Sequence, residues 1–355
     1  MFDPQAVRAA LAPLDLAGDA RLPPAVQAYL AHYGLALDEW ASDEWASDKR
    51  ASDKKRAPDD TAFDDTAVDG PAVASRAPDT GRPRLDHRVG TLSAAGESIV
   101  VHVLRPAAPR GTAFLLHGYF DHSGLYGHLI RYCLQRQQQV VIFDQPGHGL
   151  SGGAVATIDN FDAYVAVFKA VRGHVESSAP QPWHLFGQSM GGAVAMEYLL
   201  GAGYTAANVP YRNIVLLAPL VRPYRWPVLR LVYYTLGQFI RQWPRGIGGS
   251  SADEAFNAFL RDRDPLQAPA VVVQWIGAMA KWQRRFARHA PCDLAPVVIQ
   301  GGADKTVDAG YNLRLIGRLF RPVVHHVPAA QHHLVNETAE LRAQVFAGID
   351  AHWRE

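Results

Sequence analysis

Cysteine is scarce: Cys133 and Cys292 are the two thiols among 355 residues. A disulfide framework is therefore not expected, and each thiol reads as a small buried apolar side chain. No uninterrupted apolar run reaches the roughly 18 residues that a membrane-spanning helix needs. Val228 to Ile240 comes nearest, and Arg230 interrupts it. Charge of one sign is not in excess either, since 35 Lys and Arg face 34 Asp and Glu for a formal net charge of +1. That balance gives no electrostatic case for nucleic acid or an anionic membrane. Met1 to Arg8 lack a basic stretch followed by an apolar core, so no secretory leader is expected. These absences point to a cytoplasmic chain without a transmembrane segment, although transient contact with a membrane surface stays open.

What is present is 48% hydrophobic, enough for one large α/β domain with insertions. Residues 1–37 read as a weakly helical segment. Pro23-Pro24 opens a helix whose Val26, Tyr29, Leu30 and Tyr33 share a face, and Gly34 can end it. Residues 38–84 differ in kind. Asp38-Glu39-Trp40-Ala41-Ser42 is repeated directly as Asp43-Glu44-Trp45-Ala46-Ser47, and Ala-Ser-Asp returns up to Asp53. A period of five matches neither 3.6 nor 2, so it keeps no single apolar face. The segment reads as a low-complexity, disordered linker.

The main domain is expected over residues 85–355. His87–Leu92 and Ser98–Leu104 read as a hairpin about Ala95-Gly96. Apolar strand-like runs follow at 113–116, 140–143, 183–186, 214–217, 297–300 and 323–327, with helical patterns between most of them. Short apolar strands alternating with helices predict a mostly parallel twisted sheet with helices on both faces. The gap at about 219–296 is too long for a simple crossover and reads as an inserted helical cap.

One stretch organises this pattern. Gly187-Gln188-Ser189-Met190-Gly191 follows an apolar run and precedes an Ala-rich helical one. Such a strand–turn–helix lifts a serine oxygen clear of the sheet at a helix N-terminus, where N–H groups favour negative charge. The loop after Leu116, His117-Gly118-Tyr119-Phe120, is placed to donate one backbone N–H to an oxyanion, with the residue after the serine donating the other. Tyr119 and Met190 are assigned those roles. Asp304 lies just past a late strand where an orienting carboxylate is needed, with Asp308 as competitor. His332 and His333 follow the last strand, and only one can face the serine; loop position favours His332. His148 precedes the nucleophile and reads as a loop anchor.

With these segments in place the chain resembles α/β-hydrolase-fold serine hydrolases, in particular the monoacylglycerol lipase and lysophospholipase group. The resemblance rests on His117-Gly118-Tyr119-Phe120-Asp121-His122, Asp144-Gln145-Pro146-Gly147-His148-Gly149, Gly187–Gly192, Gly302-Ala303-Asp304 and Gln331-His332-His333. It covers roughly residues 85–355 and implies His332 as the base. Two departures stand out: Asp121 where the group usually has Glu, and Gln188 where it often has His. Asp121 and His122 read either as support for the oxyanion loop or as a plain salt bridge. The resemblance implies a Ser189–His332–Asp304 triad that hydrolyses carboxylic esters, of monoacylglycerol or lysophospholipid type, without cofactor or metal. The partner is then a small ester or lipid. A thioester, an amide or an N-terminal proline peptide as substrate, or a hydrolase fold that only binds, are the alternatives. The cap's apolar residues, Trp226, Leu229, Leu231, Val232, Tyr233, Leu236, Phe239, Ile240, Trp275, Ile276, Met279 and Trp282, are divided between core packing and an acyl pocket. Arg222, Arg225 and Arg230 at the cap entrance read either as contacts for an anionic head group or as a solvated basic face; the solvated face is favoured and predicts little discrimination between neutral and phosphate head groups.

Overall fold

The computed structural model describes residues 2–18, 21–36, 85–237, 239–246 and 249–354. The repeat stretch, and with it the linker expected over 38–84, lies outside the described residues. The hairpin forms as β1 (Asp86–Ala94) and β2 (Glu97–Arg105), with Ala95 and Gly96 both at positive φ in its turn. The remaining strands of the main sheet are β3 (Gly111–Leu116), β4 (Gln138–Phe143), β5 (Trp183–Gln188), β6 (Tyr211–Leu217), β9 (Val297–Gly301) and β10 (Val323–Val327). A two-stranded antiparallel ribbon, β7 (Gln242–Pro244) with β8 (Ala270–Val272), belongs to the insertion.

The eight-stranded sheet has the order β1-β2-β4-β3-β5-β6-β9-β10. From β4 to β10 every pairing is parallel; the β1-β2 and β2-β4 pairings are antiparallel. Residues alternate strictly between two cores. Val101, Phe114, Leu116, Val141 and Phe143 join one, while Val100, Ala113, Leu115, Val140 and Ile142 join the other. Both faces are therefore buried, which is why the central strands read as unbroken apolar runs rather than alternating ones.

Helices α4 (Asp162–Val175) and α5 (Met190–Gly201) cover the first face; α3 (Gly127–Gln135) and α10 (Ala339–Asp350) cover the second. The second face also receives the N-terminal segment, with helices α1 (Pro4–Ala10) and α2 (Pro24–His32). Val7, Val26, Tyr29, Leu30 and Leu35 are buried in that core. Leu14 N–H donates to the Thr91 carbonyl and Thr91 N–H to that of Ala12, which ties the segment to β1.

Between β6 and β9 lie α6 (Trp226–Leu236), α7 (Glu254–Asp262) and α8 (Val273–Phe286). Trp226, Trp275, Trp282 and Phe286 are buried and merge with the first core. Leu231 and Phe239 are exposed instead, so neither packs on the core nor lines the pocket. No described helix is long and apolar enough to cross a membrane. Cys133 is buried, as its type suggests, and Cys292 is half-buried.

Candidate active site

Ser189 sits between β5 and α5 at φ 51°, ψ −112°, a conformation that L-residues rarely adopt. The turn holds because its flanks are glycine. A Cβ on Gly191 would lie 2.0 Å from the Leu116 carbonyl oxygen, and one on Gly187 would lie 2.6 Å from that of Gly191. Two backbone bonds pin the apex: Ser189 N–H to the Leu217 carbonyl at 2.9 Å, and Leu220 N–H to the Ser189 carbonyl at 3.0 Å.

The structure brings Ser189, His332 and Asp304 into one hydrogen-bonded row. His332 Nε2 lies 2.9 Å from Ser189 Oγ, and His332 Nδ1 lies 2.8 Å from Asp304 Oδ2. Asp304 accepts three further bonds, from Gln300 Nε2 and the N–H groups of Thr306 and Val307. Burial pushes its pKa up, but His332 and these donors outweigh burial and hold it below the usual carboxylate range. An ionised Asp304 keeps the Nδ1–H tautomer of His332, which leaves Nε2 as an acceptor toward the serine.

The loop carrying His332 is held from two sides. Gln188 Nε2 donates to the His332 carbonyl at 2.9 Å. The carbonyl of Ser250, in the insertion, accepts from both His332 N–H and His333 N–H. His333 is turned away from the serine: its Nε2 lies 3.2 Å from Asp121 Oδ1, in ion-pair range though off hydrogen-bond alignment. Asp308 is not near the imidazole. It caps α9 (Ala309–Leu319) through Tyr311 N–H and pairs with Arg222, which lies over the Tyr311 ring. Arg222 is thus not part of the solvated basic face that the sequence suggests.

The loop after β3 abuts Ser189. A Cβ on Gly118 would come 3.3 Å from Ser189 Cβ. The Tyr126 hydroxyl accepts from Gly118 N–H and donates to Asp121 Oδ2. With Gly118 N–H so engaged, Tyr119 N–H is the next donor in the loop. Met190 opens α5, so its N–H is among those a helix leaves unbonded. The Tyr119 ring stacks on Trp275 of α8 at 3.8 Å between centroids. His117 donates from Nδ1 to the Gly118 carbonyl and accepts from Gln145 N–H at Nε2. His148 holds its own loop through the Pro146 carbonyl.

His122 Nε2 lies within hydrogen-bond distance of Asp264 Oδ2, at 3.1 Å, with both side chains fully buried. Burial disfavours the His122 charge, but Asp264, then Asp144 and Asp121, outweigh burial and raise its pKa. Asp264 also accepts from Tyr33 Oη and Gln267 Nε2. No motif in the sequence surrounds Asp264, Gln267, Arg245 or Ser250, and their proximity to the site is not visible there.

A cavity of about 300 Å³ opens above Ser189. Its apolar wall comes largely from the insertion: Leu229, Trp243, Leu260, Val271, Trp275 and Ile276. Of the residues divided between packing and pocket, Leu229, Trp275 and Ile276 line it, whereas Trp226, Met279 and Trp282 are buried in the core. Among the described residues no cluster of His, Cys, Asp and Glu is arranged to hold a metal ion.

Comparison with known proteins agrees with this architecture. The profile of the family described as "Serine aminopeptidase, S33" matches residues 107–339. Monoacylglycerol lipase of Mycolicibacterium smegmatis is 29% identical over 262 residues, spanning 68% of this chain and 88% of that protein. Human monoglyceride lipase is 32% identical over 137 residues, 37% of this chain and 42% of that one. Among solved structures, a soluble variant of monoglyceride lipase from Saccharomyces cerevisiae, in complex with a substrate analogue, superposes with a TM-score of 0.58. That match covers 75% of this chain and 96% of the other at 16% identity, a likeness of fold.

Proposed function

The chain belongs to the serine aminopeptidase S33 family and is a serine ester hydrolase of the α/β-hydrolase fold; from that premise we propose that it cleaves monoacylglycerol- or lysophospholipid-like esters through an acyl-enzyme on Ser189. The observation that carries the reading is the row Ser189–His332–Asp304, with both contacts of His332 under 3 Å. In this mechanism His332 takes the serine proton as Oγ attacks the ester carbonyl. Asp304 holds the imidazolium, and the N–H groups of Tyr119 and Met190 receive the oxyanion. His332 then protonates the leaving alcohol, and water repeats the cycle on the acyl-serine. The insertion acts as a cap whose inner wall receives the acyl chain.

The family description raises a peptide substrate as the second reading. An aminopeptidase must hold a free ammonium group beside the scissile bond. Among the described pocket-lining residues the one carboxylate is Asp121, and it is engaged by Tyr126 and His333. Arg245 adds a positive charge to the same wall. Both features disfavour an ammonium and support the ester.

A fluorophosphonate probe tests the class. Wild-type protein is expected to label at one serine, and Ser189→Ala to lose both labelling and ester turnover. Labelling of Ser189→Ala equal to wild type rejects the assignment.

A further inference from the structure

Arg245 occupies a position that neither the triad nor the acyl wall explains. It follows β7 in the insertion and lines the cavity above Ser189. Its guanidinium lies over the Phe120 ring, 3.8 Å from the centroid, and so beside the loop that carries Tyr119. Nη2 donates to Gln267 Oε1 at 2.9 Å. The Gln267 amide is itself oriented, because its Nε2 donates to Asp264 and to the Phe120 carbonyl. Arg245 Nη1 is buried and has no hydrogen-bond partner among the described residues.

The two nearby carboxylates do not pair with it. Asp121 is engaged by Tyr126 and His333, and Asp264 by Tyr33, His122 and Gln267. Burial disfavours the Arg245 charge, and the fields of Asp121, Tyr119 and Asp264 do not fully offset that. A guanidinium stays protonated regardless. The protein therefore holds a cation in a fixed pose, with a donor uncommitted, one loop away from the nucleophile. A buried donor left unmade costs about 1–3 kcal/mol, and a bond to a charged acceptor is among the strongest ways to satisfy it.

We propose that Arg245 binds an anionic oxygen group, carboxylate or phosphate, carried by the substrate close to the scissile ester. The proposal rests on the ester-hydrolase reading and sharpens it. It replaces the expectation of indifference to head-group charge, which was argued from Arg222, Arg225 and Arg230. The anion can sit on either side of the ester, and two substrate pairs separate those cases. On the acyl side, the p-nitrophenyl half-ester of suberic acid is compared with p-nitrophenyl octanoate. On the alcohol side, an acylated glycerol phosphate is compared with the monoacylglycerol of the same chain.

The readout is the ratio of kcat/KM for the charged over the uncharged member, in wild type, Arg245→Met and Arg245→Lys. Arg245→Met is expected to lower that ratio about 10- to 100-fold in one pair, mostly through KM, as a lost charged hydrogen bond implies. Arg245→Lys keeps the charge without the planar fork and is expected to recover part of the ratio. A ratio unchanged by Arg245→Met in both pairs overturns the proposal and leaves the ester reading standing. If Arg245→Met does not fold, Arg245→Gln, which also removes the charge, takes its place, and a wild-type ratio retained in full by Arg245→Gln in both pairs overturns it as well. If wild type cleaves none of the four esters, the ester reading falls and the proposal falls with it.

Discussion

Tyr33, at the end of α2, donates its hydroxyl to Asp264 of the insertion at 2.7 Å, across 231 residues of chain. The same carboxylate pairs with His122 in the loop beside Ser189 and accepts from Gln267 in the cavity wall. One buried acid thus joins the N-terminal segment, the insertion and the loop after β3.

Removing that acid leaves His122 buried without the partner that raises its pKa. Asp264→Ala is expected to destabilise the protein by about 3–5 kcal/mol, the usual result of breaking a buried pair from one side. Tyr33→Phe removes one bond to the carboxylate and is expected to cost about 1–2 kcal/mol. Urea denaturation measures both. Changes below about 0.5 kcal/mol in each would show that the junction does not brace the fold.

The two adjacent histidines separate by kinetics. His332→Ala is expected to lower ester turnover by about 10⁴-fold or more, the scale of losing a residue that acts with the nucleophile. His333→Ala, which touches Asp121 and packs edge-on to Phe256, is expected to lower it by no more than about tenfold. The reverse order would move the base by one residue.

Acyl-chain length tests the cavity. Each methylene buried against Leu229, Trp275 and Ile276 contributes about 0.8 kcal/mol at most, so kcat/KM is expected to rise from acetyl to medium-chain esters. Leu229→Trp fills part of the space and is expected to shift the optimum toward shorter chains. A steady fall in kcat/KM from acetate upward would remove the acyl pocket, and the lipid-like substrate with it.

Stability is expected to fall steeply on mild acidification. Burial lowers the pKa of His102 and His184 to about 4 and of His128 and His148 to about 3; His87 and His117 are lowered as well. Their unfolded value is near 6.5, so the unfolded chain binds more protons below it. The stability they contribute is present above about pH 6.5 and is lost as pH falls through the folded values. His122 acts in the opposite sense, since its raised pKa gives a contribution that is lost as pH rises. One raised histidine does not offset six lowered ones, because each tenfold change in proton affinity is worth about 1.4 kcal/mol. A urea midpoint that stays level between about pH 7 and about pH 5 would contradict this.

The strand–turn–helix around Ser189, the apolar strands and the chain order of serine, acid and histidine were legible in the sequence alone. Each depends on a local pattern: glycines that a tight turn demands, apolar runs that a doubly covered sheet demands, loops that follow strands. The hairpin about Ala95-Gly96 was legible for the same reason, since both turn residues take positive φ. What required the tertiary structure are partners far apart in the chain. Asp308 carries the same carboxylate as Asp304, and only packing shows it spent on Arg222 and a helix cap. His332 and His333 are chemically identical neighbours, and the carbonyl of Ser250 and the amide of Gln188 set the loop that turns one of them to the serine. Trp226, Trp275 and Trp282 are alike in sequence, yet of the three only Trp275 reaches the cavity. Arg245 and Asp264 sit in stretches without periodicity or motif. Their roles come from which groups surround them and which of those groups are already engaged, and that is decided by the fold.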